Sequence, residues 1–147
     1  MEEKTLKTLE FDKVLSRLAE QTVNDEARSR AAAVKPQTDI RRVRRELEIT
    51  DCATVMLYKY GSPPVMHVSP IEKSLKRMSI GGSLSMPELL NVAAILKCAD
   101  RLKAYYDGHG GGALDDYFGC LVPERTVEER ISTSITAEDE MADGAST

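Results

Sequence analysis

The sequence predicts an all-α fold, an antiparallel bundle of about five to seven helices with a small β-hairpin near the C-terminus. The main evidence is the stretch from residue 39 to residue 60, where apolar side chains recur every three or four positions. This spacing places them on one face of a helix. A second helix start is indicated at residues 85–88, where a capping box coincides with a proline at the first helical position.

Composition sets limits on the class of protein. The chain has 147 residues, 41% of them hydrophobic, which suits one domain or two small helical subdomains. The sequence has no apolar run long enough to span a bilayer and no secretory signal at its start, so we expect a soluble, cytoplasmic protein without a membrane partner. The three cysteines and two histidines are widely spaced. This disfavours a structural zinc site and predicts free, buried thiols.

Charge is distributed unevenly along the sequence. Residues 1–77 contain 15 Lys and Arg against 12 Asp and Glu, a balance of +3. Residues 78–147 contain 5 against 12, a balance of −7, and the whole chain has a net charge of −4. The first part could therefore approach a polyanion that the second part would repel.

The first 60 residues are predicted to form three helices. Thr8 is expected to cap a helix that ends near Gln21, and Asn24 a short helix over 25–33. Thr38 is expected to open the longest of the three, over 39–60. The face expected to pack contains Ile40, Val43, Leu47, Thr50, Thr54 and Leu57, and a second row widens it with Ile49, Ala53, Met56 and Tyr60.

The second half is predicted to contain shorter helices around one long one. Ser69-Pro70 is expected to start a helix that ends near Met78, and the capping box a helix that ends near Tyr106. The glycine-rich residues 107–112 are expected to form a flexible loop, followed by short helices around 114–121 and 123–131. We therefore divide the chain into a helical segment, 1–131, and a turn or hairpin, 132–147, that leads into a truncated helix.

Four arginines crowd the first turns of the helix over 39–60 and span an arc of about 160° away from the apolar row. Positive charge near a helix N-terminus opposes the macrodipole, so local stability does not explain the cluster. One interpretation is a contact with nucleic-acid phosphates or an acidic partner. The other is a solvated face with ion pairs Arg42–Glu46 and Arg44–Glu48. The cluster consists of Arg41, Arg42, Arg44 and Arg45.

The other candidate sites have less support from the sequence. The run His109 to Gly112 resembles an esterase oxyanion loop, but no Gly-x-Ser-x-Gly nucleophile motif accompanies it, and an exposed linker is favoured. No glycine is followed by lysine, so a phosphate-binding loop is not predicted. The carboxylates of Glu138, Asp139, Glu140 and Asp143 lack the spacing of a calcium loop, and they predict a solvated acidic turn. His67 is interpreted as a surface or packing histidine.

Several segments resemble one family. The opening from Lys4 to Leu15 is similar to the N-terminus of bacterial MutS-family proteins of the second, recombination-suppressor branch. The similarity continues at Lys35-Pro36, in the long helix that ends at residues 61–64, and in the block from Ile80 to Leu90. It returns at residues 131–147, which resemble the turn before the family's next long helix. The chain thus resembles an N-terminal fragment of such a protein.

The resemblance indicates the kind of larger protein to which the chain would belong, and it assigns no chemical reaction to these residues. Members of this family are dimeric ATPases that bind branched DNA and restrain recombination; many carry an endonuclease domain, and some handle stalled ribosomes. The matching region is the start of the helical core, or lever, between the ATPase and the DNA clamp. ATP and Mg²⁺ would therefore belong to the parent protein. No catalytic, cofactor-binding or metal-binding residue is expected in this chain, which is predicted not to be an enzyme by itself.

A helical protein–protein interaction or dimerisation module is the alternative function. Helical faces without partners would expose apolar surface, so self-association is expected. An enzyme ranks third, because His67 or His109 would have to meet an acidic partner and a nucleophile in a pocket.

Overall fold

The computed structural model describes residues 3–145, so the parts of the predicted C-terminal segment at Ser146 and Thr147 lie outside the described residues. The all-α prediction is confirmed: these residues form eight helices and one small antiparallel hairpin. The helices are α1 (Glu3–Thr8), α2 (Phe11–Glu20), α3 (Asp25–Ala32), α4 (Ile40–Tyr60), α5 (Glu72–Ser79), α6 (Met86–His109), α7 (Asp115–Gly119) and α8 (Arg125–Ser134). The strands are β1 (Ile135–Ala137) and β2 (Glu140–Met141).

The chain forms two compact units, one ending at Glu48 and the other beginning at Ile49. In the first unit, α2 packs against α1 and α3. The predicted cap at Thr8 is wrong, because Thr8 ends α1 and its hydroxyl donates to the Lys4 carbonyl at 3.0 Å. Glu10 adopts a left-handed conformation (φ 52°) that separates α1 from α2 and adds one helix to the number predicted.

The core of the second unit lies where the last turns of α4 meet the end of α6 and α7. Met56, Tyr106 and Leu114 are each at most 8% exposed and form its centre. Ile49, Cys52, Ala53, Tyr105 and Phe118 pack around them. Burial of these apolar side chains is the main favourable contribution to folding here. α8 packs against α6 and leads directly into the hairpin.

α4 packs through the second of its two predicted apolar rows. Met56 is buried, and Ile49 and Ala53 are half-buried. The first row was expected to pack as well, and this prediction is wrong: Leu47 is 63% exposed and Leu57 is 48% exposed. Tyr106 and Leu114 contact α4 from the side of the second row, so within this unit Thr50, Thr54 and Leu57 of the first row are left exposed.

The start of α6 is fixed by the carboxylate of Glu88. The predicted capping box is confirmed: Glu88 Oε2 accepts the backbone N–H of Ser85 at 2.9 Å. The same carboxylate also binds two side chains of α5, accepting the Ser74 hydroxyl at 2.6 Å and the Arg77 guanidinium at 2.5 Å. The hydrogen bond from Arg77, followed by the hydrogen bonds from Ser74 and Ser85, holds the pKa of Glu88 well below its usual range.

Arg77 also controls the turn between α5 and α6. Its Nε donates to the carbonyl of Ser83 at 3.1 Å, and its own carbonyl accepts the N–H of Gly82 at 2.9 Å. A Cβ atom on residue 82 would lie 2.5 Å from Cγ of Arg77. Glycine is therefore required at this position for the turn to close on the arginine.

α5 begins later than predicted. Ser69-Pro70 does not open it, because its N-cap is Ile71. Ser69 instead pairs with Asn91 of α6 through two hydrogen bonds: its N–H donates to Asn91 Oδ1 at 2.9 Å, and its carbonyl accepts Asn91 Nδ2 at 2.8 Å. A side chain distant in sequence thus holds the backbone of Ser69 in a segment without regular secondary structure.

α6 also continues past its predicted end at Tyr106 and reaches His109. Lys103 and Asp107 form an ion pair of 2.8 Å across the last turns, and Nδ1 of His109 lies 2.9 Å from the carbonyl of Tyr105. These contacts stabilise a turn that Gly108 alone would weaken. The glycine loop is correspondingly shorter and covers residues 110–112.

The end of α6 is joined to α7 through Tyr106. Its ring stacks on Phe118 with centroids 4.1 Å apart, and its hydroxyl donates to the carboxylate of Asp115. Asp115 also accepts the N–H of Gly112 at 3.1 Å, so one carboxylate closes the loop. Burial, together with the adjacent negative charge of Asp115, raises the pKa of Tyr106 to about 12.

The predicted C-terminal hairpin is confirmed. Ile135 is opposite Met141 and Ala137 is opposite Glu140, with an irregular register between the two pairs. Ile135 is 5% exposed and anchors β1 against α6 and α8. Among residues 3–145, no helix has both the length and the apolar character needed to cross a membrane.

We predict that Tyr106→Phe destabilises the chain by about 1 kcal/mol, because Asp115 loses a hydrogen-bond donor in a partly buried site. Urea denaturation followed by circular dichroism measures the change. Tyr58→Phe is the matched control, since Tyr58 is 88% exposed. Equal stability of the Tyr106→Phe variant and the wild type would contradict the assigned role of this hydroxyl.

We also predict that Glu88→Gln lowers the melting temperature by several degrees at neutral pH, because the amide cannot form the ion pair with Arg77. A carboxyl with a lowered folded-state pKa stabilises the fold above its unfolded pKa of about 4.3, and this stability is lost as the pH falls. The wild type should therefore lose stability in acid more steeply than the variant. Thermal melts from about pH 3 to 7 test this, with exposed Glu129→Gln as control. Parallel pH profiles for Glu88→Gln and the wild type would show that the Glu88 carboxylate has no such effect.

Candidate functional site

The four arginines predicted as a contact surface lie in the first turns of α4, within the first unit. All four side chains are exposed. Within five residues they bring four positive charges to a helix that starts at Ile40. We name this set, Arg41, Arg42, Arg44 and Arg45, the arginine face.

Asp39 is the residue that allows so much positive charge at this helix start. Its Oδ1 accepts the backbone N–H of Arg41 at 2.8 Å and that of Arg42 at 3.3 Å. Asp39 is therefore the N-cap, and the predicted opening by Thr38 is wrong by one residue. The carboxylate satisfies two otherwise free N–H groups and places a negative charge at the positive end of the macrodipole.

The ion pairing along this helix differs from the predicted pattern. Glu48 pairs with Arg45, at 3.6 Å between Oε2 and Nη1, and not with Arg44 as predicted. Both side chains are largely exposed, Arg45 by 45% and Glu48 by 62%. Exposed pairs of this kind contribute little free energy, so a phosphate could displace Glu48 from Arg45 at small cost.

His109 is exposed, as predicted, but it lies in the last turn of α6 and not in a linker. Its ring lies against Tyr60, with ring centroids 4.2 Å apart, in a groove also lined by Asp51 and Cys52. Its Nδ1 atom is engaged by the Tyr105 carbonyl, 2.9 Å away. Nucleophilic catalysis requires a base at hydrogen-bond distance from a hydroxyl or thiol. The described hydrogen bond of this imidazole is to backbone instead.

The remaining predicted positions lie at the surface. His67 is exposed, as are the acidic residues 138–140 and Asp143 around the hairpin turn. The prediction of buried thiols is correct for Cys98 but wrong for Cys120, which is exposed just after the short helix α7 and donates to the Asp116 carbonyl. Within residues 3–145, no group of three or more His, Cys, Asp and Glu side chains is arranged to hold a metal ion.

Sequence reasoning missed the polar residues that connect distant segments. Asn91 and Arg77 bind groups that lie outside their own helices, and the sequence carries no local pattern for such contacts. Asp115 is exposed, and no local sequence pattern predicted its hydrogen bonds with Tyr106 and Gly112. These residues support the helices but bring no reactive groups together.

Comparison with known proteins identifies relatives over almost the whole chain. No family model matches the sequence. The chain is 37% identical to the Endonuclease MutS2 of Ruminiclostridium cellulolyticum, 36% identical to that of Acetivibrio thermocellus and 40% identical to that of Geobacillus thermodenitrificans. Each similarity covers 99% of this chain and 19% of the relative. The resemblance predicted from the sequence is thereby confirmed, and the chain spans about a fifth of the length of these relatives.

We predict that Asp39→Ala frays the start of α4, at a cost of about 1 kcal/mol, because the N–H groups of Arg41 and Arg42 lose their acceptor. Asparagine caps helices as well as aspartate does, so Asp39→Asn should keep the helix start intact. Amide hydrogen exchange at residues 41–43 distinguishes the two variants. Equal protection in Asp39→Ala and the wild type would show that the cap does not hold this turn.

Proposed function

Because the chain is a homologue of the MutS2 proteins over nearly its whole length, we propose that it is a non-catalytic helical segment of a larger MutS-like protein. The parent protein would be a DNA-binding, ATP-dependent dimer that suppresses recombination by binding branched DNA, and it would be an endonuclease as its relatives are named. The similarity over 99% of the chain is the observation that carries this proposal.

The segment would act as part of a lever between the ATPase and the DNA clamp. A lever must transmit movement without deforming, and long helices with fixed ends suit that task. α4 and α6 have 21 and 24 residues. The carboxylate of Glu88 holds the start of α6, and Tyr106 holds its end against α7. These anchors support the proposal because they oppose bending of α6 relative to α5 and α7.

ATP and Mg²⁺ would be bound by the parent outside these 147 residues. In this chain no glycine precedes a lysine, so it lacks the glycine-lysine step of a phosphate-binding loop. The chain itself would contribute a surface that contacts nucleic acid. The DNA repair role of the parent would then depend on this segment for positioning and not for bond cleavage.

We assign the nucleic-acid contact to the arginine face. Four exposed guanidinium groups on one helix can each neutralise a phosphate, and arginine binds phosphate through two parallel hydrogen bonds. The helix is amphipathic but carries no aromatic side chain among residues 40–48, so we expect backbone contacts without base stacking. Ribosomal RNA has the same phosphate groups, so the proposal includes binding of the arginine face to stalled ribosomes.

The second candidate is a helical interaction module, which the exposed apolar side chains of α2 favour. Val14 is 57% exposed and Leu18 is 47% exposed, although both lie on the apolar side of a short amphipathic helix. Such a face typically binds another helix or sheet. Under this alternative the arginine face would bind an acidic protein and not DNA.

We predict that replacing all four arginines of the face by glutamine weakens binding to a branched DNA. It should also reduce the slope of log K against log salt concentration by up to about 3.6, at about 0.9 per lost phosphate contact. Fluorescence anisotropy of a labelled four-way junction, measured at several salt concentrations, tests this for the chain and for the protein that contains it.

The control replaces four exposed lysines elsewhere, Lys4, Lys7, Lys73 and Lys76, by glutamine. It removes the same net charge, so a general electrostatic effect would weaken DNA binding equally in both variants. Unchanged DNA affinity and salt slope in the arginine variant would contradict the assignment. Loss of a protein partner in that case would favour the interaction module.

A further inference from the structure

A mostly apolar groove lies between α8, the hairpin and the start of α6. Its volume is about 510 Å³. All the residues that line it belong to the second unit, so the groove lies wholly within that unit. We name it the hairpin groove. Its apolar lining comes from Leu89 of α6, Val127 and Ile131 of α8, Ile135 of β1 and Met141 of β2.

Solvent reaches the apolar side chains of the hairpin groove. Val127 is 46% exposed and Met141 is 56% exposed, while Leu89 and Ile131 are half-buried. Ile135 alone of the five is buried, at 5% exposure. Single exposed apolar residues are common on protein surfaces, but several that line one concave surface indicate a binding site.

The wall that α8 forms has the spacing of a helix-packing surface. Val127, Ile131 and Ser134 follow one another at intervals of four and three residues, which places them in one row along the helix. The ridges of a second helix pack into the grooves beside such a row. An amphipathic helix with apolar side chains at the same spacing is therefore the occupant that this wall fits.

We propose that an amphipathic helix from the polypeptide that follows Thr147 in the parent protein occupies the hairpin groove. The inference rests on one part of the proposed function, namely that the chain is a segment of a larger protein. The similarity to the relatives covers 19% of the length of each. A parent of similar length would have ample polypeptide to supply this helix.

The path of the chain favours this occupant over a separate molecule. Ala145 itself lines the hairpin groove. The N–H of Ala142 donates to the Ser134 carbonyl at 3.0 Å, and the N–H of Ala145 donates to the Ala142 carbonyl at 3.0 Å. These bonds hold the chain beside the end of α8. Consecutive elements usually pack against each other, and a short connection gives the next helix a high effective concentration at the groove.

Met141 reports directly on whether the hairpin groove is occupied. Dilute hydrogen peroxide converts an accessible methionine to its sulfoxide, and mass spectrometry of the digested protein measures the rate at Met141. A methionine-containing reference peptide in the same solution normalises the rate. Met141 should be oxidised several-fold more slowly in the parent protein than in the 147-residue chain, because the helix covers it only in the parent.

A longer version of the chain tests which segment covers Met141. An extension of about 30 residues past Thr147 is enough for one helix of average length and its connection. This version should already have the slow oxidation rate of the parent. Protection that requires the remainder of the parent would assign the hairpin groove to another segment and overturn the proposal.

A matched pair of variants of the parent tests the contact itself. Val127→Lys places a charge in the hairpin groove and should restore the oxidation rate of Met141 to that of the chain. Val122→Lys is the control, since Val122 is 66% exposed and does not line the groove, and it should leave Met141 protected. Circular dichroism verifies that both variants are folded.

Equal oxidation of Met141 in the chain and in the parent would overturn the proposal, as would protection that survives Val127→Lys. Protection in the chain alone that increases with its concentration would assign the groove to a second copy, with the same consequence. The mass of the native protein separates this proposal from the proposed function. A native protein no longer than the chain would contradict both, whereas a longer protein with accessible Met141 would contradict only this inference.

Discussion

The carboxylate of Glu88 is the interaction on which the geometry of the second unit depends most. It accepts hydrogen bonds from the start of its own helix and from Ser74 and Arg77 of α5. One ionised group therefore sets where α6 begins and how α5 lies against it. At the other end of α6, the carboxylate of Asp115 receives the hydroxyl of Tyr106 and closes the glycine loop. The apolar core around Met56 forms on one side of α4.

That one-sided packing decides which apolar side chains of α4 are buried in the second unit. Tyr106 and Leu114 cover the second apolar row of α4, and the first row is left exposed. Earlier along α4, Asp39 caps the helix and so offsets the unfavourable position of the arginine face at the positive end of the macrodipole. The first turns of α4 thus carry four exposed guanidinium groups.

Local sequence patterns predicted most helices and the hairpin. Contacts between residues distant in sequence determined where some helices begin and end and which side chains of α4 are buried. Ser85 and Glu88 are three residues apart, and their capping box was predictable for that reason. Ser69-Pro70 has an equally typical helix-start pattern, but Asn91, 22 residues later, holds the Ser69 backbone in another conformation. Both rows of α4 have helical spacing, and only the positions of Tyr106 and Leu114 determine which row is buried. The end of α6 was misplaced because Gly108 suggested a loop, whereas Lys103 and His109 form contacts that extend the helix.

The most direct test of the account is to observe the arginine side chains themselves while DNA binds. NMR spectra of the Nε–H groups can be followed as a four-way junction is added to the chain. We expect the signals of the arginine face, from Arg41, Arg42, Arg44 and Arg45, to shift and become protected from exchange, while those of Arg101 and Arg125 in the second unit stay unchanged. Shifts confined to the second unit, or no shifts at DNA concentrations well above that of the protein, would contradict the claim that α4 presents a nucleic-acid surface.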